Sequence, residues 1–214
     1  MGENILVTGG AGFIGSHVVD KLIEINKIPI VVDNLSSGKI ENLDPRALFY
    51  QQDITDEKMM KKIFFLHKPR YIFHLAAQIS VSRSVREPVF DMDVNIRGTL
   101  NLLKLAVENG AEKIIFSSTG GAIYGDDVCK IPTDETEFPK PISPYGIAKY
   151  SVENYLRFFS HEFGLKYTVL RYANVYGPKQ DPNGEAGVVA IFSKKMLKND
   201  EVKIFGSGEC IRDY

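Results

Sequence analysis

Ile5-Leu6-Val7-Thr8-Gly9-Gly10-Ala11-Gly12-Phe13-Ile14-Gly15 is the stretch on which the reading of this chain turns. A short apolar run ends in a glycine-dense turn, and a segment with helical spacing of apolar residues follows. Gly10-x-Gly12-x-x-Gly15 and the overlapping Gly9-x-x-Gly12-x-x-Gly15 both occur here. The glycines answer three physical needs. The turn must be tight, the backbone must approach an anion without a Cβ in the way, and the helix must pack closely on its strand with its first N–H groups facing that anion. Such turns are common, so the spacing alone is weak. Asp33 strengthens it by ending a second apolar run 18 residues past Gly15. A carboxylate there can accept both hydroxyls of a ribose and would repel a 2′-phosphate. The two features together predict a dinucleotide site of the Rossmann type, with NAD preferred to NADP; Lys39 leaves NADP open.

Outward from this stretch, short apolar runs alternate with longer amphipathic ones. Strands are expected at Ile5–Thr8, Ile30–Asp33, Leu48–Gln52, Tyr71–Ala76, Lys113–Ser117 and Tyr167–Tyr172. Apolar on both faces, they suit a parallel sheet buried between helices. Helices are expected from Gly12 to Asn26, with Ile14, Val18, Leu22 and Ile25 on one face. Further helices should run from Thr55-Asp56 to His67, from Pro88 to Asn109-Gly110, and from Ser143-Pro144 to Phe163-Gly164. The alternation predicts an α/β fold, a doubly wound parallel sheet. Gly125–Pro144 is polar, holds four prolines and reads as a loop. The sequence style changes after Tyr176-Gly177-Pro178. Residues 1–176 are therefore read as a dinucleotide-binding domain, and 177–214 as the beginning of a small substrate-binding domain with a strand at Val202–Phe205.

Composition narrows the function classes. The chain has 214 residues, 44% hydrophobic and 25% charged, with a net charge of -1. That suits a packed globular chain and gives no bulk field to draw it onto nucleic acid or an anionic membrane. The longest apolar runs, such as Gly187–Phe192, fall far short of the ~20 residues that span a bilayer. Cys129 and Cys210 make neither a disulfide framework nor a metal site. Met1-Gly2-Glu3-Asn4 leads straight into the first strand, and the expected location is cytoplasmic. No metal is expected.

Other strand ends should converge on the same crevice. Asp53-Ile54 ends the third strand, where Asp53 can hold an adenine edge or cap the next helix. Leu75-Ala76-Ala77-Gln78 ends the fourth, with small residues against which a cofactor can lie. Tyr145-Gly146-Ile147-Ala148-Lys149 puts a phenol and an ammonium on one helical face. A phenol ionises near pH 10, and a neighbouring ammonium together with an oxidised nicotinamide would favour the phenolate, making Tyr145 a usable base. Ser117-Ser118-Thr119 ends the fifth strand, with hydroxyls that could bond a reacting oxygen.

These segments resemble the extended short-chain dehydrogenase/reductases, and among them NAD-dependent nucleotide-sugar epimerases of the UDP-glucose 4-epimerase type. The resemblance is carried by Thr8–His17, Asp33–Gly38, Leu75–Ser80, Val94–Thr99, Phe116–Gly125, Ser143–Lys149, Arg171–Pro178 and Gly206–Tyr214. It implies that Tyr145 is the base, Lys149 its electrostatic partner and Thr119 the catalytic hydroxyl, with Ser118 as the alternative. It implies NAD contacts from Gly9, Gly12, Phe13, Ile14, Gly15, Asp33, Asn34, Ser36, Gly38, Asp53, Ile54, Leu75, Ala76, Ala77, Gln78, Asn95, Ser117, Tyr145, Lys149 and Tyr172, with Asn95 orienting the catalytic helix. Substrate contacts would come from Thr119, Tyr145, Asn174, Gly187, Val188 and Arg212, the last on a diphosphate. The implied reaction lends a hydride from C4 of a UDP-hexose to NAD and returns it to the other face of a 4-keto sugar. A homodimer is implied, through the helices near Asp91–Asn109 and Tyr145–Phe163, with Leu100, Leu103, Val107, Val152, Tyr155 and Phe159 on offer. Family members continue past Arg212-Asp213-Tyr214. A sister dehydratase or decarboxylase and a non-catalytic NAD-binding module are the competing readings. Gly120-Gly121 stands where dehydratases usually carry an Asp-Glu pair and disfavours that branch.

Overall fold

The computed structural model describes residues 4–126, 128–183, 187–204, 206–209 and 214. Its strands are β1 (Ile5–Thr8), β2 (Ile30–Asp33), β3 (Leu48–Gln51), β4 (Tyr71–His74), β5 (Lys113–Thr119) and β6 (Lys166–Tyr172). All six pair in parallel, in the order β3-β2-β1-β4-β5-β6. The chain lays β1 to β3 outward in one direction, then crosses to the other side of β1 for β4 to β6. Beside β1 and β4 the crossovers diverge, and the crevice outside the carboxyl ends of those strands is where such sheets bind ligands.

β3 ends and β6 begins one residue earlier than the sequence reading, and the ends of β4 and β5 differ from it for physical reasons. β4 stops at His74 because the backbone of Leu75 and Ala76 turns against Gly9, whose position leaves no room for a Cβ: one would stand 2.6 Å from the Ala76 nitrogen. β5 runs on to Thr119 because β6 pairs with it that far, Thr119 opposite Tyr172. The strand expected at Val202–Phe205 does not form over Val202–Ile204, and Phe205 lies outside the described residues. Alternation alone does not make a strand; a hydrogen-bonded neighbour does, and none of the described strands runs beside it.

The helices are α1 (Phe13–Glu24), α2 (Glu57–His67), α3 (Val81–Arg86), α4 (Pro88–Met92), α5 (Gly98–Glu108), α6 (Pro144–Phe163) and α7 (Val188–Leu197). A π-helical turn, Asp93–Arg97, joins α4 to α5 without a break. Local chemistry sets the ends. Asp56 caps α2 by accepting from the Met59 N–H, Ser143 caps α6 by accepting from the Gly146 N–H, and Gly164 closes α6 at φ 70°. The buried face of α1 is Gly15, Ser16, Val19, Leu22 and Ile23, rotated from the expected Ile14, Val18, Leu22 and Ile25; Ile25 is exposed. Gly15 decides the rotation, because only a residue without a side chain can face the Gly9 carbonyl at this distance. One core lies under α2, α5 and α6, around Phe64, Ile72, Leu102, Leu103, Phe116 and Leu156. The other, around Val7, Val19, Leu22 and Val31, lies under α1. The helices therefore cover both faces of the sheet. None of those described is long and apolar enough to cross a membrane.

A buried histidine links the two central strands to α5. His74 Nδ1 stands 2.7 Å from Thr8 Oγ1, and His74 Nε2 stands 2.8 Å from Thr99 Oγ1. The Thr99 hydroxyl donates its proton to the Asn95 carbonyl. It must therefore accept from Nε2–H, which leaves Nδ1 bare to accept from Thr8. The ring is neutral in this arrangement. Burial, helped by the Lys149 charge, pushes its pKa down to about 3. An unfolded chain takes up this proton near pH 6.5 and the folded chain only near 3. Acid therefore favours unfolding throughout that window, and the stabilisation is intact only above it. From pH 7.5 to 4.5 His74 alone should remove about 3 kcal/mol. Urea unfolding at the two pH values, compared with His74→Gln, checks this; an equal loss in both proteins would refute it.

Candidate active site

The glycine turn builds the first part of the crevice. Gly9 takes φ +71°, and a Cβ on Gly15 would lie 2.1 Å from the Gly9 oxygen. Gly12 is the N-cap of α1, and no side chain caps that helix. Its first turn carries no acidic residue, so the partial positive charge of the helix start is left for an anion. Asp33 is buried at the end of β2. Its Oδ2 accepts from the Ala11 N–H at 3.0 Å and its Oδ1 from the Leu35 N–H at 2.8 Å. Gly38 packs against this carboxylate, where a Cβ would stand 2.9 Å from Oδ1. The carboxylate is thus fixed beside the turn with acceptor capacity to spare. The cradle and the acid fit a dinucleotide whose ribose hydroxyls are free. Lys39, which left NADP open, ion-pairs with Asp181 at 2.9 Å.

Asp53 does not cap α2; Asp56 does. Instead, Asp53 accepts from the Thr55 N–H and hydroxyl and from Asn34 Nδ2 at 2.7 Å. Burial pushes its carboxyl up, but these bonds and the Arg97 charge outweigh that and hold it below the usual range. Asn34 Oδ1 in turn accepts from the exposed Ser36 N–H. The Ile54 side chain is in the core against Gly98, so only its backbone is left for a ligand. Phe13 meets His17 edge-on, with ring centroids 5.8 Å apart, and Ile14 is half-buried beside it on α1. The segment after β6 is tied back to this half of the molecule. Lys179 Nζ reaches Asp20 at 2.5 Å and the Asn42 carbonyl at 2.9 Å, and His17 Nε2 reaches the Pro178 carbonyl at 2.9 Å.

Beyond β4, Gln78 and Asn95 lock together. The Gln78 N–H donates to Asn95 Oδ1, and Asn95 Nδ2 donates to the Gln78 carbonyl, both at 2.9 Å. Both amides also donate to Asp91 Oδ1, at 2.8 and 3.0 Å. Asn95 sits in the π-helical turn, a distortion frequent at functional sites. Its side chain holds Gln78 and Asp91, and the turn that carries it packs on α6.

Helix α6 is held by further groups. The Tyr145 N–H donates to Ser84 Oγ at 3.2 Å, and Lys149 Nζ donates to the Ser117 carbonyl at 2.8 Å. Ser118 Oγ donates to Glu153 Oε1 at 2.6 Å, and Glu153 is held by Arg171 at 2.6 Å in a largely buried ion pair. Ser118 is thereby committed to α6. Thr119 lies on the other side of β5, opposite Tyr172, and of the two hydroxyls it is the one not engaged by Glu153. The sequence reading missed Ser84, Asp91, Glu153 and Arg171. Glu153 had a signal, since Tyr145, Lys149 and Glu153 fall at i, i+4 and i+8 on one helical face.

Within the chain itself, the pull expected of Lys149 on the Tyr145 phenol is outweighed. Burial, with the Asp91 charge adding to it, pushes Tyr145 up to about 12. Burial pushes Lys149 down to about 8, and Asp91 opposes that shift. The Lys149 ammonium is 5.8 Å from the phenol ring centre and donates one hydrogen bond to the Ser117 carbonyl; at that distance its pull on the phenol is weaker than burial. Asn174 is exposed just beyond β6, Gly187 is the N-cap of α7 and Val188 is exposed at its start. Arg212 lies outside the described residues.

Comparison with known proteins agrees with this geometry. A UDP-glucose 4-epimerase from Thermotoga maritima, solved with UDP-glucose, superposes with a TM-score of 0.97 at 69% identity over 99% of this chain and 68% of that one. A Thermus thermophilus UDP-glucose 4-epimerase in complex with NAD gives 0.93 at 46% identity, over 99% and 70%. A UDP-N-acetylglucosamine 4-epimerase from Methanobrevibacter ruminantium, with UDP-N-acetylmuramic acid, gives 0.90 at 41% identity, over 97% and 67%. Residues 5–214 match the family described as Epimerase. The match spans the glycine turn, the fixed carboxylate at the end of β2 and the Tyr–Lys helix alike: the chain belongs to the NAD dependent epimerase/dehydratase family.

Proposed function

We propose that this chain interconverts UDP-glucose and UDP-galactose by reversible oxidation at C4 of the sugar. The observation that supports the reading is the seat of the Tyr145–Lys149 helix on β5: Lys149 Nζ donates to the Ser117 carbonyl at 2.8 Å, near the end of the strand that closes on Thr119. Gly9, Gly12 and Gly15 would hold the pyrophosphate of NAD, Asp33 its ribose, and Lys149 and Tyr172 its nicotinamide end. Bound NAD supplies an acceptor for the C4 hydride and gives it back. Tyr145 Oη takes the proton of the 4-hydroxyl as C4 is oxidised, and returns it when the 4-keto sugar is reduced from its other face. Thr119 donates a hydrogen bond to the same oxygen, and Lys149 keeps a positive charge beside the phenol at neutral pH. Asn174, Gly187, Val188 and Arg212 are proposed for the sugar nucleotide. The UDP-sugars in two of the compared structures support that substrate class.

A homodimer is part of the proposal, with a corrected surface. Leu103 and Val152 are fully buried in the chain's own core, and Leu100, Val107 and Phe159 pack against it. The apolar groups left exposed beside α4 are Val85, Val89, Phe90 and Met92, and Tyr155 is partly exposed on α6.

The test is incubation of the purified chain with UDP-galactose and no added NAD, with UDP-glucose resolved by chromatography. UDP-glucose is expected to form. If none forms even with NAD added, the epimerase reading fails, and a sister reaction or a binding module takes its place.

A further inference from the structure

Among the described residues, the buried side chains that carry a formal charge are Asp33, Asp91 and Lys149. Asp33 sits at the glycine turn, with backbone donors on both oxygens. The other two lie on α4 and α6, which pack on one another. Asp91 is 1% exposed and Lys149 4%. Neither has an obvious reason to remain charged in that place. A charge out of water needs an opposite charge or several hydrogen bonds, or it neutralises.

Lys149 gives one proton to the Ser117 carbonyl at 2.8 Å and lies 4.8 Å from the centre of the Phe116 ring. From β4 it faces the neutral His74, and from its own helix Tyr145. Glu153, one turn further along, is taken by Arg171 and Ser118. The carboxylate whose charge reaches Lys149 is Asp91. Seen from Asp91, Oδ1 is held by two amide donors, Gln78 Nε2 and Asn95 Nδ2. Its Oδ2 is buried without a hydrogen-bond partner. The titratable groups that feel its charge are both on α6, Tyr145 and Lys149. Gln78 and Asn95 fix one oxygen of the carboxylate and thereby aim the whole group.

We propose that Asp91 is a positioning residue for the reaction: the buried countercharge that keeps Lys149 cationic, held in place by the Gln78–Asn95 pair. This rests on the roles proposed above for Tyr145 and Lys149. It also gives that pair a purpose. A clamp that only fixed the loop after β4 would not need a carboxylate with a spare oxygen.

Removing the charge has a defined sign. Asp91 favours the protonated form of Lys149 and disfavours the ionised form of Tyr145, so without it both groups lose protons at lower pH. If Tyr145 must be ionised and Lys149 protonated, both limbs of the pH–activity bell move to lower pH. A purely structural defect would lower the bell without moving it.

The test uses Asp91→Asn, whose carbonyl oxygen can still accept from both amides while the charge is removed. With 13Cε-labelled lysine, the Lys149 resonance is identified by its loss in Lys149→Met and then titrated by NMR, with no turnover required. In Asp91→Asn the Lys149 midpoint should fall by about one pH unit or more, as for loss of a nearby opposite charge. The pH–kcat bell should shift the same way, with KM little changed. An unmoved Lys149 midpoint would overturn the proposal, whatever the activity. A midpoint that moves in Asp91→Asn, while the wild-type chain shows no epimerase activity, would uphold the Asp91–Lys149 pairing and refute the proposed reaction. Should circular dichroism show that Asp91→Asn does not fold, Asp91→Ser is titrated in its place and judged by the same two outcomes.

Discussion

Tyr145→Phe should reduce interconversion of UDP-galactose and UDP-glucose about 10³-fold, the scale expected when a positioned proton-transfer group is removed. The loss should fall on kcat, with KM and bound NAD little changed. Phenylalanine fills the same buried space, and the bond that anchors this residue to α3 is made by its backbone N–H to Ser84, which the substitution leaves intact. The chain's own groups hold the phenol protonated, up to about 12. A group so far from neutral is a poor base unless binding brings a positive charge near it. Tyr145 should therefore ionise measurably only in the loaded enzyme. Stopped assays on both proteins at matched NAD occupancy check the rate. Activity within about tenfold of wild type would show that another group moves the proton, and would remove Tyr145 from the proposed role.

The first two strands were readable because they are buried on both faces. Ile5–Thr8 and Ile30–Asp33 are fully buried runs, and their apolar continuity marks them without help from neighbours. The rotation of α1 was not readable from its apolar residues, since Ile14, Val18 and Ile25 look as greasy as Val19, Leu22 and Ile23. The information was in Gly15, which must face the Gly9 carbonyl and so turns Val19 and Ile23 toward the sheet. Val202–Phe205 has strand-like composition, yet Val202–Ile204 lacks a pairing partner among the described strands. The helix α3 escaped because six residues carry too little periodicity; its one local signal is Ser80, whose hydroxyl accepts from the Arg83 N–H.

At the site, motif residues were legible and their supports were not. Tyr145 and Lys149 announce themselves by spacing at the start of a capped helix. The choice between Ser118 and Thr119 could not be made from three adjacent hydroxyl residues. It follows from strand alternation plus the partner on each side: Ser118 turns to Glu153, itself held by Arg171 from β6. That partner lies 35 residues away and is brought there by tertiary folding. Asp91 is legible only as one acid among many, and its burial comes from the packing of α4 on α6. The sign of the Tyr145 shift was also beyond reach, because the sequence shows the ammonium four residues away and not the desolvation that outweighs it.

Gly15→Ala should be the most damaging single methyl in the molecule. The added Cβ would lie 2.1 Å from the Gly9 oxygen, 2.8 Å from the Gly9 carbonyl carbon and 2.9 Å from the Gly10 Cα. All three are backbone atoms, so no side chain can swing aside. Either α1 retreats from β1 or the turn opens. Retreat uncovers Val19 and Leu22, which are buried against Val7 and Val31. Opening the turn displaces Gly9, whose backbone is packed on Ala76. Ordinary overpacking costs about 1–3 kcal/mol, and a clash with fixed backbone on every side belongs at or above the top of that range. Both routes also move the first N–H groups of α1 away from the place an anion would occupy, so NAD affinity should fall by about 100-fold or more, some 3 kcal/mol. Gly12→Ala separates the two effects. Its Cβ would stand 3.2 Å from the same oxygen, a contact that a small shift relieves, so the fold should keep most of its stability while the approach of the pyrophosphate is blocked. Urea unfolding and NAD titration on the two variants decide the matter. Stability lost in Gly15→Ala but kept in Gly12→Ala, with affinity lost in both, is the expected pattern. NAD bound normally by Gly12→Ala would place the dinucleotide somewhere other than this turn.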